Sequence, residues 1–279
     1  MLRENPNCID RADGVLLFRG NCFLPLDRTN RMEEIIVHID YPHNANGLPM
    51  MRMADINDLA IRIIQERAPE CLEKPMALDI RRFAEESLFL NVLETPIYDE
   101  SILGLTAFGI VDVPIDTQDH CITVEDGTIL INSDIGDNTY RKRFTLAHEV
   151  SHWILHRRYN DRTNILYEFR DGAHSFVAEE DDIRELGKKN PVICQTDDDR
   201  AEWQADHLGA ALLMPGPIFI KTAQQIMERY NFPKHQLISG ERVTEGKRVV
   251  KELSDIYQVS YRSVRLRLRG FGMYIGVQK

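Results

Sequence analysis

The 279-residue sequence lacks several features that mark well-defined classes of protein. It contains no run of 18 apolar residues, so no transmembrane helix is expected. Residues 1–6 lack the apolar stretch of a secretory signal peptide. No internal repeat or low-complexity tract is visible, and 43% hydrophobic residues are enough to bury a core. These features favour a folded cytoplasmic protein that does not associate with a membrane.

Cysteine is scarce, and no two cysteines form a C-x-x-C pair. The five are scattered along the chain: Cys8, Cys22, Cys71, Cys121 and Cys194. An odd, scattered set argues against both a disulfide framework and a cysteine-based structural zinc site. Free thiols in a reducing compartment are therefore expected.

Positive charge is also lacking, since the net charge is −10. This argues against non-specific nucleic-acid binding by the whole chain. The charge is uneven, however: residues 161–210 carry 13 acidic against 6 basic side chains, and residues 241–279 carry 9 basic against 4 acidic. We expect the acidic stretch to be solvated loop. A weaker alternative is that it attracts a basic protein.

The most informative feature present is an H-E-x-x-H motif formed by His148, Glu149 and His152, inside a helix predicted over residues 140–158. Side chains four apart on a helix share one face, so both imidazoles can hold one metal ion. Glu149 can then take a proton from water at that ion. The same motif also arises by chance on half-exposed helices. Here the flanking residues are mostly apolar, which predicts a buried helix, where such polar groups are costly unless paired or metal-bound.

A third metal ligand is predicted at Glu202, fifty positions after His152, in a helix expected over residues 199–214. Catalytic zinc commonly takes two histidines, a carboxylate and water. Asp206 lies four residues on, and suits the carboxylate that receives the other ring N–H of a ligating histidine. The pair could instead be acids on a solvated face. Three small residues favour close packing against another helix: Ala205, Gly209 and Ala210.

Two further histidines compete for a role at the metal. His207 is about 100° of rotation from Asp206, so it faces another direction. His156 follows His152 by four residues. Either could be the fourth ligand of a closed, structural metal site, although the intact Glu149 argues against one. The candidates for stabilising an oxyanion are not ranked by the sequence: Tyr140, His156, His174, His207 and Tyr261.

The run Arg143–Trp153, the later run Glu202–Pro215 and the strand-like Asp126–Asn132 together resemble the ImmA/IrrE metallopeptidases, over roughly residues 53–270. The resemblance implies a zincin-like peptidase with Zn²⁺, or alternatively Mn²⁺, on His148, His152 and Glu202, and with Glu149 as general base. Relatives of this kind cut a helix-turn-helix repressor of a mobile element or stress response. The acidic stretch could attract such a basic substrate.

The expected fold class is α+β, with a small sheet packed on the H-E-x-x-H helix and a mostly helical C-terminal part. Three regions are predicted: an N-terminal extension that is β-rich (1–50), the metallopeptidase domain (51–235) and a helix-turn-helix-like segment (236–279). Strands are expected near residues 15–18, 35–37 and 103–111, with a β-hairpin over 121–132. Further helices are expected over residues 53–70, 78–88, 179–189, 217–230 and 249–257.

The C-terminal segment supports a second hypothesis. Residues 253–270 are typical of helix, turn and helix, with Ser260 as the N-cap of a helix rich in arginine. Arg262 and Arg265 are then candidates for contacting DNA or substrate. The favoured alternative is a packing unit with its apolar residues in the core. The main functional prediction is a metallo-endopeptidase. A DNA-binding regulator or sensor with a metal-bound but non-proteolytic core stays as the alternative, so direct nucleic-acid binding is the less favoured partner.

Overall fold

The computed structural model describes residues 11–12, 15–16, 41–136, 139–163, 167–170, 196–238 and 240–275. The strands are β1 (Arg11–Ala12), β2 (Val15–Leu16), β3 (Asn91–Thr95), β4 (Ile102–Thr106), β5 (Val111–Pro114), β6 (Cys121–Val124), β7 (Thr128–Asn132), β8 (Tyr167–Arg170), β9 (Leu237–Ile238) and β10 (Tyr274–Ile275). The helices are α1 (Met53–Arg67), α2 (Glu70–Glu73), α3 (Ile80–Arg82), α4 (Thr139–Thr163), α5 (Asp197–Leu213), α6 (Gly216–Arg229), α7 (Val243–Tyr257) and α8 (Tyr261–Gly270). The predicted strand at 35–37 and helix at 179–189 lie outside the described residues.

A mixed sheet supports the H-E-x-x-H helix α4. Its strand order is β3-β7-β4-β8, with β3 parallel to β7 and β4 antiparallel to both neighbours. All five residues of β4 and all five of β7 are buried, as expected of strands covered on both faces. In a second sheet the order is β1-β2-β6-β5. Small sheets packed with several helices confirm the α+β class.

The hairpin predicted over residues 121–132 is wrong. Both strands exist, but β6 pairs with β5 and β2, whereas β7 lies between β3 and β4. The Asp126–Gly127 turn is present, with Gly127 at φ +79° and a hydrogen bond from Thr128 N to Glu125 O. It passes the chain from one sheet to the other. β7, which is buried at every position, lies between two other strands. The sequence of the turn does not show which strands will pair.

Two other element predictions need correction. The strand expected over 103–111 is two strands, β4 and β5, separated at residues 107–110. The helix expected over 78–88 is α3, which continues as a π-helix over Phe83–Ser87. Phe89, with a left-handed φ of +54°, follows it. The short helix α2 was not predicted.

The helices pack around one large apolar cluster that extends from Met51 to Met273. The prediction for α1 is confirmed, because the buried residues of this helix are those on the expected apolar face: Ile56, Leu59, Ala60, Ile63 and Ile64. The helices α4, α5, α6 and α7 also match predicted helices, with bounds shifted by a few residues. No helix among the described residues is long and apolar enough to cross a membrane. The proposed bounds of the three regions stay a prediction.

The C-terminal helix pair α7–α8 has the expected helix, turn and helix order. Ser260 caps α8, since its Oγ accepts a hydrogen bond from Ser263 N at 3.0 Å. Val259, Val264 and Leu268 are buried, as a packing unit requires. Arg267 is buried as well, and its guanidinium donates to Met214 O and to Asn57 Oδ1. This arginine therefore holds α8 against the end of α5 and against α1.

Candidate metal centre

Close packing of α4 against α5 brings the two motifs together. Gly209 makes the approach tight, because a Cβ added there would lie 3.1 Å from the carbonyl carbon and oxygen of Ala147 and 3.2 Å from His148 N. All three are backbone atoms, so a larger residue would push the helices apart. The glycine thus sets the face of α5 that carries Glu202 and Asp206 against the H-E-x-x-H residues.

Three side chains converge at this helix contact. The Nε2 atoms of His148 and His152 lie 2.8 Å apart. Glu202 places Oε2 3.2 Å from His148 Nε2 and Oε1 3.3 Å from His152 Nε2. Both histidines are fully buried, and the Glu202 side chain is 12% exposed. The cluster is therefore a buried set of two imidazole nitrogens and one carboxylate.

This arrangement fits a zinc ion by the chemistry and spacing of its donors. Zinc bonds to nitrogen and oxygen at about 2.0–2.2 Å, so tetrahedral ligand atoms lie roughly 3.3–3.5 Å apart. The two nitrogen–oxygen distances agree with that spacing, and the nitrogen–nitrogen distance is somewhat shorter. One ligand atom from each of the three residues lies within 4.8 Å of the others. Among the residues that the structure describes, this is the one such group.

Asp206 lies behind His148, on the side away from the cluster. Its Oδ1 is 2.9 Å from His148 Nδ1, and the aspartate is buried. A carboxylate there fixes the ring so that Nε2 faces the cluster, the arrangement usual for ligating histidines. Asp206 thus lies beside His148, and its role as a supporting carboxylate stays a prediction.

The two histidines of the motif differ in their electrostatics. Burial lowers the pKa of His148, but hydrogen bonds to Asp206 and Glu202 outweigh it and raise this pKa to about 10. Burial lowers the pKa of His152 to about 4, with partial compensation by Glu202. Burial raises the pKa of Glu202, but the neighbouring His152 and His148 rings outweigh burial and bring this pKa well below its usual range. Glu202 is therefore held as a carboxylate, as a metal ligand must be.

Glu149 is held by strand β4. Thr106 Oγ1 lies 2.6 Å from Glu149 Oε2 and donates to it, and Glu149 is fully buried. Gly104, on the same strand, leaves room for this side chain, because a Cβ there would be 2.9 Å from Glu149 Oε1 and 2.7 Å from Thr145 Cγ2. Neither Thr106 nor Gly104 was predicted from the sequence. They lie more than 40 positions before the motif, and strand register alone brings them to it.

The two rival histidines lie outside the ligand cluster. His207 places Nδ1 2.6 Å from the backbone oxygen of Trp203, one turn earlier on α5. His156 is fully buried with Nδ1 2.9 Å from Nδ1 of His152, on the side of that ring away from Nε2. Neither position completes a four-ligand site. Gln204, whose Oε1 lies 3.0 Å from His156 Nε2, was also missed.

The other candidates from the sequence analysis are dispersed. Arg265 donates from Nη2 to the hydroxyl of Tyr274 and lies over its ring. Arg262 is on the same helix, at a partly buried position. Tyr140 and Tyr261 are exposed at the first turns of α4 and α8. His174 lies outside the described residues. A role for Arg262 or Arg265 in binding DNA or substrate stays a prediction.

The fold and the cluster are those expected of a class, the metallopeptidases with an H-E-x-x-H motif on a helix and a downstream glutamate. Residues 106–180 match the family model Peptidase_M78, the IrrE N-terminal-like domain. The matched segment begins at Thr106 and includes His148, Glu149 and His152. This match confirms the resemblance found in the sequence and supports metal-dependent protease activity. A comparison of the sequence with curated proteins found no match.

Proposed function

We propose that this protein is a zinc-dependent endopeptidase that cuts a specific protein substrate. The observation that carries the proposal is the convergence of His148, His152 and Glu202 beside a buried Glu149. Two imidazoles with one carboxylate form a donor set found in catalytic zinc sites. Manganese is the alternative ion, but it prefers sites richer in oxygen. His148, His152 and Glu202 would hold the ion.

Glu149 acts as the general base and then as the general acid. A bound zinc ion supplies Lewis acidity, which makes water more acidic and polarises the scissile carbonyl. Glu149 takes a proton from the attacking water and later delivers it to the leaving amine. Thr106 keeps the carboxylate in one orientation through its hydrogen bond to Oε2. Asp206 keeps the His148 ring in place through Nδ1.

For the substrate, we propose a helix-turn-helix repressor of a mobile element or stress regulon, met in the cytoplasm. The family resemblance supports this choice. The test is incubation of the zinc-loaded protein with purified repressors encoded near its gene, followed by mass spectrometry of the products. A discrete cut that Glu149→Gln abolishes would support the substrate class. Cleavage of unrelated unfolded proteins at the same rate would contradict it.

Metal content tests the site independently of any substrate. Elemental analysis of the wild type should give about one zinc per chain, as a three-ligand site implies. His148→Ala and Glu202→Ala should lose most of it, because each removes one ligand. The matched control is His207→Ala, a buried histidine outside the cluster, which should keep its zinc. A full complement of zinc in Glu202→Ala would show that another residue is the third ligand.

The alternative function is a DNA-binding regulator with a non-proteolytic core. Burial of Arg267 against Met214 disfavours it, because this arginine of α8 packs the fold and does not face solvent. Sequence-specific, salt-dependent binding of duplex DNA that Arg262→Ala and Arg265→Ala abolish would favour the alternative.

A further inference from the structure

A row of buried polar groups runs from the metal-ligand cluster to the backbone of the segment before α1. His152 Nδ1 lies 2.9 Å from His156 Nδ1, and His156 Nε2 lies 3.0 Å from Gln204 Oε1. Gln204 Nε2 then lies 2.6 Å from Pro49 O. The side chains of all three are buried, at 0% exposure. We call His152, His156, Gln204 and Pro49 O the histidine relay.

The direction of each hydrogen bond in the relay follows from its last member. A backbone carbonyl only accepts, so the Gln204 amide must turn its NH₂ group to Pro49 O and its oxygen to His156. His156 Nε2 must therefore carry the proton and donate it. A neutral imidazole has one N–H and one lone pair, so His156 Nδ1 is left as an acceptor. His152 Nδ1 must then be the donor.

We propose that Pro49 O, Gln204 and His156 set the tautomer of His152, so that its Nε2 presents a lone pair to the metal. His156 and Gln204 are positioning residues for His152, as Asp206 is for His148. A ligating histidine usually donates its other N–H to a carboxylate, a carbonyl or water. Here His156 accepts that N–H in place of a carboxylate. The Gln204 amide, oriented by Pro49 O, fixes which nitrogen of His156 is the acceptor.

The reverse orientation fails at the far end of the relay. If His152 Nδ1 accepted, His156 Nδ1 would donate and His156 Nε2 would need a donor from Gln204. The Gln204 oxygen would then face Pro49 O, and two acceptors 2.6 Å apart repel each other. The proposed direction leaves a lone pair on His152 Nε2, to which His148 Nε2 can donate at 2.8 Å, while Glu202 Oε1 lies 3.3 Å away.

The inference rests on the proposed metal site, but its first test needs no metal. Long-range ¹H–¹⁵N NMR of the ¹⁵N-histidine-labelled, metal-free protein reports which ring nitrogen carries the proton. We expect a protonated Nδ1 and an unprotonated Nε2 for His152, and the opposite tautomer for His156. A His152 ring protonated at Nε2 alone would overturn the proposal, whether or not the protein has peptidase activity.

Zinc affinity, measured by competition with a chromogenic chelator, is the second test. His156→Leu and Gln204→Leu should weaken zinc binding by about 10–100-fold, the usual cost of losing such support. His156→Gln should recover most of the loss, because its amide offers an acceptor to His152 and a donor to Gln204. His207→Leu is the matched control for removing a buried histidine, and it should bind zinc like the wild type.

The outcomes separate this inference from the proposed function. Unchanged zinc affinity in His156→Leu, or equal losses in His156→Gln and His156→Leu, would overturn the relay. A wild type that binds zinc and shows the expected tautomers but cuts no peptide bond would contradict the peptidase proposal alone. A wild type that binds no zinc would contradict the metal site, and the NMR result would still decide the relay.

Discussion

The helix pairs α4–α5 and α7–α8 both carry charged side chains, and these side chains are arranged in opposite ways. In the α4–α5 pair, His148, His152 and Glu202 point from both helices to one place. In the α7–α8 pair, the arginines diverge. Arg267 is buried against Met214 O, and Arg265 contacts Tyr274.

This difference distinguishes the candidate metal site of α4–α5 from the packing contacts of α7–α8. Converging donors are costly to bury unless an ion or a proton is shared among them. A diverging arginine with its own backbone and amide acceptors is already satisfied and needs no ligand. Both pairs are rich in charge in the sequence. The direction in which the side chains point is therefore more informative than their number.

The largest effect is expected at the converging pair. Glu149→Gln should keep the zinc and lower the hydrolysis rate of the proposed repressor substrate by about 10²–10⁴-fold, because a general base is lost while the ligands remain. Single-turnover assays with metal content measured on the same sample check this. The matched control is Glu125→Gln, an exposed glutamate outside the site. An active Glu149→Gln enzyme would remove Glu149 from the mechanism.

The next largest effect is on zinc affinity, and it distinguishes the supporting role of Asp206 from the role of the metal ligands. Asp206→Asn should weaken zinc binding by about 10–100-fold, since an amide supports the His148 ring less well than a carboxylate. His148→Ala should weaken it far more. Chelator competition measures both, with Asp255→Asn on α7 as the control. Equal losses in Asp206→Asn and His148→Ala would mean that Asp206 binds the ion directly.

The diverging pair should respond in stability instead of metal binding. Arg267→Met keeps the length of the side chain but leaves Met214 O and Asn57 without their donor, so we expect a loss of about 1–3 kcal/mol in the free energy of unfolding. Arg265→Met, on the same helix, should cost less because it is less buried. Urea unfolding checks the difference, and zinc affinity should stay unchanged. A stable Arg267→Met protein would show that this buried contact is dispensable.

The same contrast explains how much could be predicted from sequence. The ligand Glu202 and the supporting carboxylate Asp206 could be predicted from helical spacing, because residues four apart share a face wherever the helix lies. The contacts of Thr106, Gly104 and Gln204 depend on strand register and on helix docking, which no local pattern contains. The failed hairpin has the same cause. The Asp126–Gly127 turn was predicted correctly, but the partner of β7 is chosen by burial on both faces.

The smallest expected effect lies where the two pairs meet. His207 of α5 has its pKa lowered to about 4, first by burial and then by the charge of Arg267, with a hydrogen bond to Trp203 O opposing. Because the folded pKa is below the unfolded value of about 6.5, the unfolded state binds more protons as the pH falls, and stability is lost from that value down towards pH 4. Between pH 7 and 6 we expect less than about 1 kcal/mol from this residue. Urea unfolding should show that His207→Gln loses correspondingly less stability over that interval than the wild type. Equal losses in the two proteins would show that His207 does not contribute to the pH dependence of stability.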